Sequence, residues 1–137
     1  MGINESFFLG KGWHDCTRDG RFNLPYRPAD KISHVYLPDS IIPLSEISIL
    51  VASSPSLLGK PIKGRVFLSN CPIYNFLIED DYWRVWNIPI DNAVVNYKSP
   101  ILSFEMDETF VPNVVLKNGD YRSLGLYVSM INFMKFS

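Results

Sequence analysis

Prolines and glycines interrupt this chain too often for long helices. Ten and eight of them punctuate 137 residues, leaving short runs rich in Ile, Val, Phe and Tyr between them. Turn-forming residues at such intervals are the pattern of many short strands. No segment shows helical periodicity beyond two turns; in the best candidate, 39–51, Pro43 intervenes and the remainder alternates.

The alternation is clearest in the middle of the chain. Ile47, Ile49 and Val51 share one face of an extended segment, with Glu46 and Ser48 on the other. Ile62, Gly64, Val66 and Leu68 oppose Lys63 and Arg65 in the same way. Half-buried antiparallel strands require this, because successive side chains point to opposite faces. Ser69-Asn70-Cys71-Pro72 reads as a turn, and 73–78 as a returning strand, apolar on both faces except at Asn75 and therefore expected to be central. After the acidic turn Glu79-Asp80-Asp81, a strand over 83–90 is expected at an edge or terminus, because Pro89 cannot donate to a ladder. Further strands are predicted over 7–9, 32–37, 101–106, 110–116 and 124–133, with a hairpin-type turn at Asn118-Gly119-Asp120. Strands about every dozen residues predict an all-β, antiparallel two-sheet sandwich of jelly-roll or Ig-like type, one domain over 1–137.

A chain of this size buries roughly two-thirds of its unfolded surface and needs neither metal nor disulfide to fold. Hydrophobic residues at 47% and charged residues at 20% are ordinary globular proportions. The net charge of -1 gives no field that favours nucleic acid or anionic lipid. Spacing alone does not decide whether Cys16 and Cys71 are bridged; two reduced thiols in a cytoplasmic protein is the simpler expectation. No basic-then-apolar leader pattern and no run of about 18 apolar residues is present, so neither export by a conventional signal nor a membrane span is expected.

No constellation announces a chemistry. His14 and Cys16 fall on one strand face, but no third ligand lies at metal-site spacing. Ser123 lacks the flanking glycines of a nucleophile elbow, and Cys16 is no catalytic dyad merely for lying near His14. The clusters Glu79-Asp80-Asp81 and Glu105, Asp107, Glu108 can supply glycosidase carboxylates or calcium ligands, yet read more simply as solvated turns. Gly10-Lys11-Gly12 is too short for a phosphate loop. A non-enzyme without cofactor or metal is the expectation.

Aromatics at 14% of the chain must fill a core or line a surface. Trp83 and Trp86, three positions apart on one strand, point to opposite faces, so one is expected in the core and the other outward. An exposed Trp or Tyr offers its π-face to the C–H groups of a sugar ring.

Several stretches together resemble a β-sandwich domain appended to bacterial glycosyltransferases that build surface polysaccharides. They are Gly12-Trp13-His14-Asp15 with Asp19-Gly20-Arg21-Phe22, Gly64-Arg65-Val66-Phe67-Leu68-Ser69-Asn70, Trp86-Asn87-Ile88-Pro89-Ile90, Phe110-Val111-Pro112, and Asp120-Tyr121-Arg122-Ser123-Leu124-Gly125-Leu126. The resemblance implies a non-catalytic companion of a transferase, concerned with glycan binding, enzyme positioning or assembly. This chain carries no transferase domain, so it is either a piece of a longer enzyme or a free-standing relative. The resemblance and the aromatics single out Trp13 and Trp86 for stacking, and His14, Asp120 and Arg122 for hydrogen bonds to hydroxyls. Tyr82 and Arg84 are further candidates. The partner expected is a polysaccharide or a glycosyltransferase. A structural module that docks or dimerises through an exposed face, and an enzyme with convergent titratable residues, are the competing readings. The same motif also has a ligand-free account: Asp120 and Arg122 can pair or bond turn amides, and Gly125 can mark a close backbone crossing.

Overall fold

The computed structural model describes residues 2–3, 8–37, 44–91 and 100–135. It is an all-β sandwich, as the alternation predicts. Its elements in chain order are β1 (Gly2–Ile3), β2 (Phe8–Leu9), β3 (Thr17–Asp19), β4 (Leu24–Ala29), β5 (Ile32–Tyr36), β6 (Leu44–Ala52), α1 (Pro55–Leu58), β7 (Ile62–Leu68), β8 (Cys71–Ile78), β9 (Arg84–Pro89), β10 (Ile101–Met106), α2 (Pro112–Leu116) and β11 (Leu126–Lys135). The first sheet runs β3-β4-β11-β6-β9, and β1 lies parallel to β11 beyond the end of β4. The second runs β2-β5-β10-β7-β8. Phe7 and Pro43 lie outside the described residues. No helix among those described is long and apolar enough to cross a membrane.

The alternating positions become the core. Ile47, Ile49 and Val51 of β6 face Ile62, Val66 and Leu68 of β7 and Leu102, Phe104 and Met106 of β10 in one buried cluster. Each such side chain contributes roughly 1.5–3 kcal/mol by leaving water. In β11 the register slips between Val128 and Met130, so Leu126, Val128 and Ile131 all point inward despite their mixed parity. The extra residue, Ser129, is buried there and donates its hydroxyl to the Pro25 carbonyl at 2.7 Å.

Three local expectations need correction. First, β8 is an edge strand, not a central one. Phe76 and Ile78 are buried, but Leu77 on the alternate face is exposed, so apolar residues on both faces did not mean burial on both. Second, the turn before it contains only Ser69 and Asn70, and the strand resumes at Cys71. Both turn residues have positive φ (49° and 69°), as a type I′ hairpin demands. Third, 110–116 is not a strand. Phe110 makes one bridge to Leu124, and Pro112 then opens the short helix α2 at a position where its missing N–H costs nothing. By contrast, β9 with Pro89 does form the edge of its sheet. Cys16 is a free surface thiol, so the two cysteines are not joined to each other.

One corner connects the two layers. Residues 8–11 run beside β5, with Gly10 N–H donating to the His34 carbonyl (2.8 Å) and His34 N–H to the Lys11 carbonyl (3.0 Å). From Gly12 the chain runs beside β4 instead: Asp30 N–H donates to the Gly12 carbonyl (2.7 Å) and His14 N–H to that of Pro28 (2.9 Å). Gly12 makes this change of sheet at φ +91°, where a Cβ would collide with the Ile32 carbonyl and lie 2.7 Å from the Ser33 Cα. Trp13, immediately after the corner, packs its ring edge-on against Phe104 (6.0 Å between centroids) and donates its indole N–H to the His34 carbonyl at 2.8 Å.

Candidate functional site

The outer face of the first sheet carries an aromatic row under three loops. Leu126 and Val128 point into the core, so Tyr127 between them points out. Its ring meets Tyr26 of β4 at 4.9 Å, and Tyr26 in turn meets Trp83 edge-on at 5.4 Å. Trp83 precedes β9 in the loop that follows β8. The Tyr127 hydroxyl shares a hydrogen bond with the Ser54 hydroxyl (2.8 Å). Burial pushes the phenols of Tyr26 and Tyr127 above the ordinary range, Tyr127 more strongly, so both stay neutral hydrogen-bonding groups in any physiological medium.

Two aspartate–arginine clasps flank this row, and they are built alike. In Asp19-Gly20-Arg21 the carboxylate accepts from the Arg21 backbone N–H (2.9 Å), from Nε (3.3 Å) and from Nη2 (3.1 Å). In Asp120-Tyr121-Arg122 the same three bonds measure 3.2, 2.9 and 2.7 Å. Bidentate geometry of this kind fixes the plane of a guanidinium. The Trp83 indole N–H donates to Asp19 Oδ2 at 2.8 Å, and Arg21 Nη2 donates to the Asp81 carbonyl at 3.1 Å. Asp81 itself receives the Ser56 backbone N–H (3.2 Å) and hydroxyl. The β3–β4 turn is thereby tied to the 79–83 loop, and that loop to α1. The third loop is held from below: His14 Nε2–H donates to the Ser123 carbonyl (2.9 Å), and Ser123 donates its hydroxyl to Thr109 (2.7 Å). Tyr26 feels the charges of both clasps. On the tips of the three loops stand exposed aromatics: Phe22, with Arg21 over its ring at 5.3 Å, Tyr82 and Tyr121.

The clasps leave a pH signature. The Arg21 guanidinium holds the Asp19 carboxyl below its usual range against an opposing burial effect, with help from the Trp83 indole; Arg122 does the same for Asp120. A carboxyl whose folded pKa lies below its unfolded one stabilises fully above the unfolded value and loses that stabilisation as pH falls through the folded one. We therefore expect the Asp19→Asn/Asp120→Asn double variant to be less stable than the parent at pH 7 by about 0.5–1 kcal/mol per clasp, as partly exposed pairs give. The difference should narrow progressively as pH falls below the ordinary Asp value of about 3.9 and the carboxylates take up protons. Urea midpoints at pH 7, 4 and 2 measure it, and a gap unchanged at low pH would contradict the clasp account.

The residues singled out from sequence divide into two groups. Asp120 and Arg122 do pair, in a loop rather than on a strand, and Tyr82 stands exposed on the 79–83 loop. The other four take structural places. Trp86 is a correction: it is buried against Tyr74 and Phe76 (5.2 and 4.7 Å) and offers no face to a sugar. It is Trp83 that lies outside the core, so one tryptophan is inside and the other out, as expected. Trp13 closes the corner, partly buried with its ring against Phe104, and His14 spends Nε2 on a backbone carbonyl. Arg84 staples its own loop through Asp80 and the Tyr82 carbonyl. Sequence reasoning missed Asp19, Arg21, Tyr26, Trp83 and Tyr127 as site residues. The recurrence of Asp-x-Arg at 19–21 and 120–122 was the available signal.

No protein-family model matches the sequence, and no curated protein matches it. Among solved structures, that of the CBM51-2 and INT domains from Clostridium perfringens ZmpB is similar, at a TM-score of 0.40 and 10% identity over 94% of this chain. The chain spans 30% of the length of that structure.

Proposed function

We propose that this chain is a non-catalytic carbohydrate-binding module whose site is the loop-covered outer face of the first sheet. The observation that carries the reading is the group of exposed aromatics, Phe22, Tyr82 and Tyr121, on loops locked by the two Asp–Arg clasps. Sugar recognition combines apolar platforms with a few polar groups held in fixed directions. Loops on a rigid sandwich are where such groups are usually mounted. In its finer form, suggested by the sequence motifs, the module is one domain that accompanies a bacterial polysaccharide-building glycosyltransferase in the cytoplasm and binds or positions its product.

The test is calorimetric titration with a panel of bacterial surface oligosaccharides. A binding member should lose about fivefold in affinity in each of Tyr82→Ala and Tyr121→Ala, since one stacked ring is worth about 1 kcal/mol. Neither ring is buried, so both variants should keep the parent's melting temperature. Unchanged affinity in both would count against this site.

A second reading has its own observation. Val114, Val115 and Leu116 of α2 are all exposed, and α2 is tied to the third loop by Asn113 N–H donating to the Asp120 carbonyl (2.8 Å). An apolar step at that position suits docking to a protein or to a second copy. Flat titrations across the panel, together with a dimer in light scattering, would favour it.

A further inference from the structure

We infer that the site selects glycans that carry an anionic group, a uronate carboxylate or a sulfate half-ester, seated on the outer edge of the Arg122 guanidinium. The inference rests on the glycan-binding reading and specifies its substrate class.

The clasps are not symmetric with respect to solvent. The Asp19 and Asp120 side chains are 12% and 22% exposed, whereas those of Arg21 and Arg122 are 55% and 41% exposed. The carboxylates sit inside and the guanidiniums outside. The acceptors are also occupied: Asp19 receives four hydrogen bonds and Asp120 three, all from Trp83 and the arginine two residues on. What remains at the surface is donor capacity. Arg122 uses Nε and one Nη2 hydrogen on Asp120, so its Nη1 group and the second Nη2 hydrogen have no acceptor among the described residues. Those two amino groups form one edge of the guanidinium fork, the geometry that takes both oxygens of a carboxylate or sulfate at once. Arg21 retains less, because its Nη2 serves both Asp19 and the Asp81 carbonyl and Nη1 alone is left. Arg122 is therefore the anchor and Arg21 an auxiliary donor.

Each clasp is neutral overall, so no long-range field draws an anion in. The selectivity is one of direction: a rigid donor edge that no acceptor among the described residues occupies is matched by a group that only accepts. A sugar hydroxyl, which also brings a donor, matches it less well. The exposed Tyr121 ring, between the two members of the clasp in sequence, supplies the apolar contact beside the anion.

The experiment compares matched ligands on the unaltered protein by calorimetry: oligogalacturonate against its methyl ester, and a sulfated galactan oligosaccharide against its desulfated parent. We expect at least one charged member to bind about tenfold tighter than its neutral partner, and which pair shows the difference assigns the anion. Arg122→Lys, which keeps the charge but not the fork, should abolish most of that ratio, so that the charged and neutral members of the pair bind alike. Equal binding of charged and neutral members in both pairs would overturn the inference and leave the glycan reading intact. Absence of binding by all four would overturn the inference, and binding by other, neutral members of the bacterial panel would then decide the glycan reading separately.

Discussion

Gly12→Ala is expected to destabilise the protein by about 2–4 kcal/mol, several times the effect of alanine at either of the other glycines with positive φ. Gly59 (φ +83°) and Gly119 (φ +78°) have open space where a Cβ would go, so alanine there meets only the backbone penalty, about 1 kcal/mol. At Gly12 that penalty is joined by a collision with the Ile32 carbonyl, which belongs to β5 and cannot swing aside as a side-chain end would. Relief requires opening the corner that carries the chain from the second sheet to the first, and with it Trp13. Urea unfolding of the three variants measures the difference. Equal losses would show that the corner yields more easily than its hydrogen bonds imply.

Phe104→Ala should cost still more, about 3–5 kcal/mol, a large share of the 5–15 kcal/mol by which such domains are stable. Phe104 is fully buried at the middle of β10, between Ser33 of β5 and Val66 of β7 in register, and among the described residues it is the largest of the completely enclosed side chains. Its removal leaves a void that neighbours on two hydrogen-bonded strands cannot collapse to fill, and it takes away the edge contact of Trp13. Phe104→Leu, which retains most of the volume, should lose well under half as much. A loss below about 2 kcal/mol for the alanine variant, in denaturant midpoints, would mean that the core repacks around it.

Phe104 lies in a strand, 101–106, that was legible in the sequence, whereas the corner at Gly12 carried no such mark, because it depends on which strands residues 8–14 run beside. Alternation at 47–51 and 62–68 identifies strands and their inward faces because period two has no other physical source in a half-buried segment. Pro89 marks an edge because it lacks a donor. The failures are equally physical. β8 was misplaced because Leu77 is exposed on an edge strand, and one exposed leucine carries no sequence mark. α2 is five residues long, too short for a helical period, and its Pro112 fits a helix start as well as a strand edge.

The site was half legible. Asp120 and Arg122 pair across one residue, and that spacing was visible. The twin at Asp19 and Arg21 was visible too, but its relevance depends on the turn after β3 folding toward the 79–83 loop, a contact across sixty residues of sequence (Arg21 Nη2 to the Asp81 carbonyl). The choice between Trp83 and Trp86 was likewise a matter of strand phase. One of the two had to face in, and only the register of β9 against β6, with Trp86 opposite Ile49, decides which.

The three tryptophans supply the most direct test of where this protein recognises its ligand. Their indole N–H signals are separate reporters in a proton–nitrogen spectrum: Trp83 bonded to Asp19 beneath the loops, Trp13 bonded to the His34 carbonyl at the corner, and Trp86 in the core. During titration with an oligosaccharide that binds, the Trp83 signal should move in saturable fashion while those of Trp13 and Trp86 stay in place. A saturating ligand that leaves Trp83 unmoved, or that shifts Trp13 or Trp86 instead, would contradict the account.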